Sequence, residues 1–476
     1  TSCSSGRGGL SDRSPVRLER ERATGLPPGR PVYVKKPEVA EMTAPRMSTL
    51  FQRRQPSMIR MAQIRFDERS DDTEAINVAI GNIDLPMYPA MIDRMNNLGA
   101  EGSPFAGGVV KYSATSGTTE CIDAFMNVSA SRGFDTGNLH GHITEGGTQA
   151  MELLITGICG AGGSGEKPLM LIDAAYTNYK TLCQRLDRDT CSITRTLGDD
   201  GKFSLPSVEE IEEVIVANKP GGIVVIPFDN PTGQYYDKQA MIDLARLAVK
   251  YNLWLVSDEA YRELYYTGGE CTSIWGITDA EVPGIEGRRM SVETTSKVWN
   301  ACGLRIGALV TDNEVFNRQA IAEHTVSLCS SVIGPYIFGA LAHEDHATLQ
   351  GWYEKQRAYY KEMLFSFTAA MKKALPGVVA SSPDAALYSV IDVKKLVGDD
   401  FSALDFVMWC ASEGAVAVGG KPMTVLTAPM AGFYSVPEGQ PNPGRTQMRV
   451  AYVASPERMA MIPDIFALLL ENYLAR

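Results

Sequence analysis

The chain has 476 residues, 44% of them hydrophobic and 21% charged, with a formal net charge of −11, a composition that excludes disordered and fibrous classes and allows roughly two to four globular domains. The charge is uneven, with 12 Lys/Arg against 5 acids in residues 1–60 and −18 left on the remainder, so the body is excluded as a binder of nucleic acid or anionic membrane. No uninterrupted apolar run approaches the ~18–20 residues that a transmembrane helix needs. The nine cysteines are scattered, odd in number and without a Cys-x-x-Cys pair, which predicts buried thiols in a reducing, cytoplasmic setting rather than a disulfide framework.

In chain order, residues 1–46 are rich in Arg, Ser, Pro and Gly with no sustained period and are predicted to be a disordered N-terminal extension. Three origins fit such a stretch: a transit peptide, which its five acids oppose, a vector-derived remnant, or translated upstream sequence ahead of a start at Met42 or Met47. Residues 47–111 are expected to form an N-terminal arm and part of a small domain, led by the amphipathic segment RMSTLFQRRQPSMIRMAQIR. Residues 112–340 alternate short β-branched runs with helical stretches. The runs at 167–173, 221–227, 253–259, 288–295 and 305–312 are predicted strands, and 207–218 and 237–252 are predicted helices with Ser and Asp starts. That alternation predicts an α/β fold, a three-layer αβα sandwich around a mainly parallel sheet. Residues 341–476 change to α+β, with a long helix, the segment AALYSVIDV, a Gly/Pro-rich stretch, QMRVAYV and a terminal helix, and are read as a small C-terminal domain.

Two weak signals are set aside. GAGGSGEKP (160–168) lacks the Lys-Ser/Thr spacing of a phosphate-binding P-loop and reads as a surface loop. HEDH (343–346) places its histidines at i and i+3 rather than i and i+4, so no metal site is expected there or elsewhere.

Four segments carry chemistry jointly. FDNPTGQYY (228–236) and VSDEAYRELYY (256–266) each follow a strand, where open α/β sheets bind ligands. TTSKVWNACGLRIG (294–307) places Lys297 after a strand and eight residues before Arg305. TEGGTQAM (144–151) opens a helix on two glycines and Thr148, an arrangement that presents N–H groups to a phosphate. A lysine to form an imine, an acid to hold a pyridinium N–H, and an arginine with a helix N-terminus for a phosphate are the needs of pyridoxal 5'-phosphate, PLP.

With these motifs in this order, the chain resembles the class I/II aminotransferases of the fold type I PLP-dependent enzymes, the aspartate aminotransferase superfamily, over about residues 47–476. The resemblance implies Lys297 as the Schiff-base lysine, Asp258 as the partner of the pyridine nitrogen, and Tyr261 and Asn230 as donors to the ring's phenolic oxygen. It implies Arg305, Thr294, Ser296, Gly147 and Thr148 around the phosphate, and Tyr176 stacked on the ring. Arg449 would bind the substrate's α-carboxylate, with Gly81 beside it. Tyr112 would reach the cofactor of a neighbouring subunit, which implies a homodimer with shared active sites. Departures from the family pattern are TTECIDAF after SATSG, GAGGSGEKP in place of Pro-Gly-Asp, and Ala174 where a proline is usual. The implied activity is transfer of an amino group between an L-amino acid and a 2-oxo acid by a ping-pong mechanism. A β-eliminating lyase or cyclising synthase on the same scaffold is the alternative. A ligand sensor fused to a DNA-binding region is disfavoured, since residues 1–60 lack paired helices.

Overall fold

A computed structural model describes residues 45–52, 54–163, 167–437 and 439–476. The N-terminal extension, up to residue 44, and part of the 160–168 loop therefore lie outside the described residues. The chain divides into a unit ending at Gln55, with one described helix, Thr49–Gln52, and a unit from Pro56 to Arg476. The single amphipathic segment expected over 46–65 is thus two helices, the second being Met58–Asp67. Pro56 explains the break, since it disfavours helical backbone at the residue before it.

Fourteen strands are described: β1 (Glu74–Asn77), β2 (His140–Glu145), β3 (Leu169–Asp173), β4 (Thr190–Thr194), β5 (Gly222–Val225), β6 (Trp254–Asp258), β7 (Arg289–Thr294), β8 (Ile306–Thr311), β9 (Val379–Ala380), β10 (Tyr388–Asp392), β11 (Val416–Val418), β12 (Lys421–Leu426), β13 (Ala428–Pro429) and β14 (Gln447–Ala451). Seven form the central sheet in the order β2-β8-β7-β6-β5-β3-β4. It is parallel except at β8, which runs antiparallel to both neighbours. Every residue of β3, β5 and β8 is buried, as expected where helices cover both faces of a sheet. The edge strand β4 is only partly buried.

Helix boundaries follow local chemistry. Ser207 and Glu210 form a reciprocal capping box at the Val208–Asn218 helix, and Asp237 caps Lys238–Tyr251 through the Ala240 N–H. The long helix spans His346–Ala374, its start capped by Asp345, and buries Leu349, Trp352, Tyr353, Tyr360 and Phe367 at helical spacing. The two HEDH histidines flank that start and are exposed, His343 meeting Glu120 at 2.7 Å and His346 meeting Asn127 at 3.1 Å. The eight described cysteines divide evenly between buried (Cys121, Cys159, Cys183, Cys410) and partly exposed (Cys191, Cys271, Cys302, Cys329), so the expected burial holds for half of those.

Two smaller sheets complete the fold. One runs β13-β14-β10-β9; the other runs β1-β12-β11, with β1 parallel to β12. The pairing of Glu74–Asn77 with Met423–Leu426 brings an early segment beside a late one. From β1 the chain continues through Val78, whose carbonyl accepts from the Ala451 N–H, to Gly81 at the pocket described next.

Candidate active site

The C-terminal ends of β2, β3, β5, β6 and β7, and the start of the reversed β8, share one edge of the central sheet. A cleft there is lined by Gly147, Thr148, Tyr176, Asn230, Asp258, Tyr261, Thr294, Ser296, Lys297 and Arg305, with Tyr179 and Cys302 among the other walls. Ten predicted site residues thus converge from five separate segments.

Lys297 follows β7, and its Nζ donates to the Gly81 carbonyl at 2.5 Å. Gly81 has no room for a side chain, because a Cβ there would overlap the Tyr388 hydroxyl and lie 3.4 Å from Lys297 Nζ. Asp258 ends β6. Its Oδ2 accepts from the Tyr179 hydroxyl at 2.5 Å, and its Oδ1 accepts from the Ala260 N–H at 3.1 Å. Burial pushes its carboxyl up to about 6; the two hydrogen bonds and Lys297 oppose the rise, and Glu293 adds to it.

Asn230 bridges two groups. Its Nδ2 donates to the Tyr261 hydroxyl at 3.1 Å, and its Oδ1 accepts from Arg449 Nη1 at 2.8 Å. Arg449, on β14, also donates to the Ala79 carbonyl at 2.7 Å, and its guanidinium lies between the Tyr388 ring at 4.4 Å and the Phe433 ring at 5.2 Å. The Tyr261 hydroxyl meets that of Tyr388 at 2.9 Å.

At another end of the cleft the Gly146–Cys159 helix begins. Gly146 sits at φ 71°, and a Cβ on it would lie 2.5 Å from Arg305 Nη2; one on Gly147 would lie 2.9 Å from Val292. The two glycines let the first helical turn close on the guanidinium, which forms a cradle for an anion. Arg305 is exposed at this edge, and Thr294 and Ser296, which line the same cleft, join hydroxyls at 2.8 Å.

Tyr112 is 80% exposed and stands apart from this cleft within its own chain. Sequence reasoning missed Tyr179 and gave Tyr388 no role. The signal for Tyr179 was its i+3 spacing from Tyr176, which places both near one helix face. Tyr388 lies inside the segment AALYSVIDV, but only the fold shows what its hydroxyl touches.

Comparison with known proteins identifies the architecture. The fold is that of the PLP-dependent transferases of fold type I. It matches the Thermus thermophilus aspartate aminotransferase solved with maleate (TM-score 0.72, 20% identity, 90% of this chain and 100% of that one). It also matches a Pyrococcus horikoshii kynurenine aminotransferase (TM-score 0.71, 20% identity, 90% and 97%). The family model for aminotransferase class I and II matches residues 76–448, and the chain belongs to that family. Among curated relatives, the aspartate aminotransferase of Thermotoga maritima is 30% identical over 196 residues, 41% of this chain and 47% of its own length. The aspartate/prephenate aminotransferase of Thermus thermophilus is 24% identical over 318 residues, 66% and 76% of the two chains. The chain thus spans about half the length of the first of these relatives. Enzymes of this family work with PLP, and the cleft fits that group: a glycine cradle with an arginine for its phosphate, and an acid held only by neutral donors for its ring nitrogen.

Proposed function

We propose that the protein is a PLP-dependent aminotransferase that moves an amino group between an L-amino acid and a 2-oxo acid in two half-reactions, the ping-pong scheme. The observation that carries this reading is the placement of the Lys297 amine against the Gly81 carbonyl in the cleft that Asp258 and Asn230 also line, with Arg449 bonded to Asn230. Lys297 would hold the cofactor covalently, Asp258 would face its ring nitrogen, and Tyr261 and Asn230 its phenolic oxygen. Arg305, Thr294, Ser296 and the amides of Gly147 and Thr148 would hold its phosphate, and Tyr176 would cover its ring. When bound, PLP supplies an electron sink conjugated to the substrate's Cα.

The chain's own residues then divide the work. Arg449, whose guanidinium is held against two aromatic rings, would present a fork to the α-carboxylate and fix the Cα–H bond relative to the ring. Lys297 Nζ, once released, would take the Cα proton and deliver it on the cofactor side of the carbon–nitrogen bond, acting first as base and then as acid. Asn230 couples the two ends, touching both Arg449 and Tyr261.

The enzyme is further proposed to act as a homodimer in the cytoplasm. Val109, Val110, Tyr112, Val326 and Leu328 are more than half exposed, and Thr115 ties the two segments through the Leu328 carbonyl at 2.7 Å. Such an apolar face suits cover by a second copy, which would bring Tyr112 to the partner's cleft. No described helix is long and apolar enough to cross a membrane.

The test adds single amino acids to the PLP-loaded protein and follows the cofactor's visible absorbance and the released 2-oxo acid. Lys297→Ala is expected to lower turnover by about 10⁴-fold, the upper range for loss of a positioned acid–base group. Full turnover in that variant, or ammonia release with no need for a second 2-oxo acid, would overturn the assignment.

A further inference from the structure

The acid that the cofactor reading places at the ring nitrogen is gripped by a residue outside the predicted site. Tyr179 lies on the Thr177–Arg185 helix and is 3% exposed. Its hydroxyl stands 2.5 Å from Asp258 Oδ2. A carboxylate can only accept, so the phenol donates, and its proton is committed to that oxygen. The same helical turn carries Tyr176, whose ring meets the Tyr179 ring edge-on at 5.5 Å and 87°, and whose hydroxyl accepts from Asn178 at 3.0 Å. One short element therefore sets both the wall of the cleft and the donor to its acid.

We propose that Tyr179 is a positioning residue for the cofactor, holding the Asp258 carboxylate ionised and in one rotamer for the ring nitrogen. The inference rests on the proposed role of Asp258. Asp258 needs such help, since burial favours its neutral form and a neutral acid leaves a pyridinium without a counter-charge. The groups that face it are Tyr176 and Tyr179 from the helix, Tyr261 from the segment after β6, Glu293 from β7 and Lys297 from the following loop. Glu293 favours the neutral acid. Lys297 favours the charged acid, and Tyr179 and the Ala260 amide are the hydrogen-bond donors that favour it among the described residues.

The test is Tyr179→Phe, which removes one hydroxyl and keeps the ring, alongside Asp258→Asn. Cofactor-free protein is titrated with PLP and with its 1-deaza analogue, in which C–H replaces the ring nitrogen, and binding is read by quenching of intrinsic fluorescence. Tyr179→Phe should weaken PLP by about 10-fold, the scale of a hydrogen bond to a charged group, and leave the analogue within about twofold. It should also move the acid limb of PLP binding to higher pH. Equal weakening of both ligands would mean a merely structural tyrosine and overturn the proposal, as would no weakening at all. Asp258→Asn separates the two failures. If it loses the preference for PLP over the analogue and Tyr179→Phe does not, the role of Tyr179 alone falls; if neither variant loses it, the reading of Asp258 falls as well.

Discussion

Charged side chains in this molecule are held in two contrasting ways. Behind the cleft they are paired with opposite charges: Arg262 grips Glu293 at 2.8 Å, Arg132 and Arg357 each meet Glu263 at 3.1 Å, and Arg195 meets Asp229 at 2.7 Å. In the cleft, Asp258, Lys297, Arg305 and Arg449 enter no ion pair among the described residues; their partners are a phenol, amides and carbonyls. On β7 the two arrangements are one residue apart, with Glu293 in the network and Thr294 in the cleft, as strand alternation dictates. A charge with a permanent counter-charge is architecture. A charge held by neutral dipoles is left to be met by a ligand, here one with a phosphate, a ring nitrogen and a carboxylate.

The largest expected effect comes from breaking the paired set. Arg262→Met leaves Glu293 and Glu259 buried without their cation and should cost about 3–5 kcal/mol of stability, read as a large fall in melting temperature. The unpaired set should behave in the opposite sense. Asp258 has its folded-state value raised from 3.8 to about 6, so it favours the fold below pH 4 and penalises it as pH rises through 6. Asp258→Asn is therefore expected to stabilise cofactor-free protein by about 3 kcal/mol at pH 7.5, with the gain vanishing near pH 4. An unchanged melting point in Arg262→Met, or a loss in Asp258→Asn at every pH, would erase the distinction.

How much of this was legible in the sequence follows from the same contrast. The cleft residues sit in short contiguous motifs at strand ends, so their spacing carried the signal, and the structure brings ten of them together. Buried strands such as β3 and β5 were legible as apolar runs. Edge strand β4, TCSIT, offers no such run, and β1 exists only because residues near 423–426 pair with it. The ion pairs were illegible for the same reason: Arg195 and Asp229, 34 positions apart, or Arg357 and Glu263, 94 apart, meet only through the fold. Tyr388 and Tyr179 reach the cleft from segments whose motif is silent on where a hydroxyl points.

A third way of burying a titratable group sharpens the comparison, with the smallest expected effect. His142 on β2 is fully buried, and His324 at the end of the Glu314–His324 helix is 2% exposed. Their rings lie 4.8 Å apart, with His142 Nε2 and His324 Nδ1 at 2.6 Å. One nitrogen must donate and the other accept, so at most one of the two rings carries a charge, and neither enters an ion pair among the described residues. Burial first, and then the neighbouring ring, lower His142 from 6.5 to about 4. Burial also lowers His324, with Glu145 opposing. A base whose folded-state value is depressed supports the fold fully above its unfolded value and withdraws that support as pH falls. At pH 5 the loss from His142 is about 2 kcal/mol. Because Asp258 acts with the opposite sign over the same range, the measurement belongs in an Asp258→Asn background. There the melting temperature should fall between pH 7.5 and pH 5, and His142→Leu/His324→Met should flatten that fall whatever it does to stability at pH 7.5. An undiminished slope in the double variant would place the acid sensitivity in the paired carboxylates instead, and the histidine pair would count as packing.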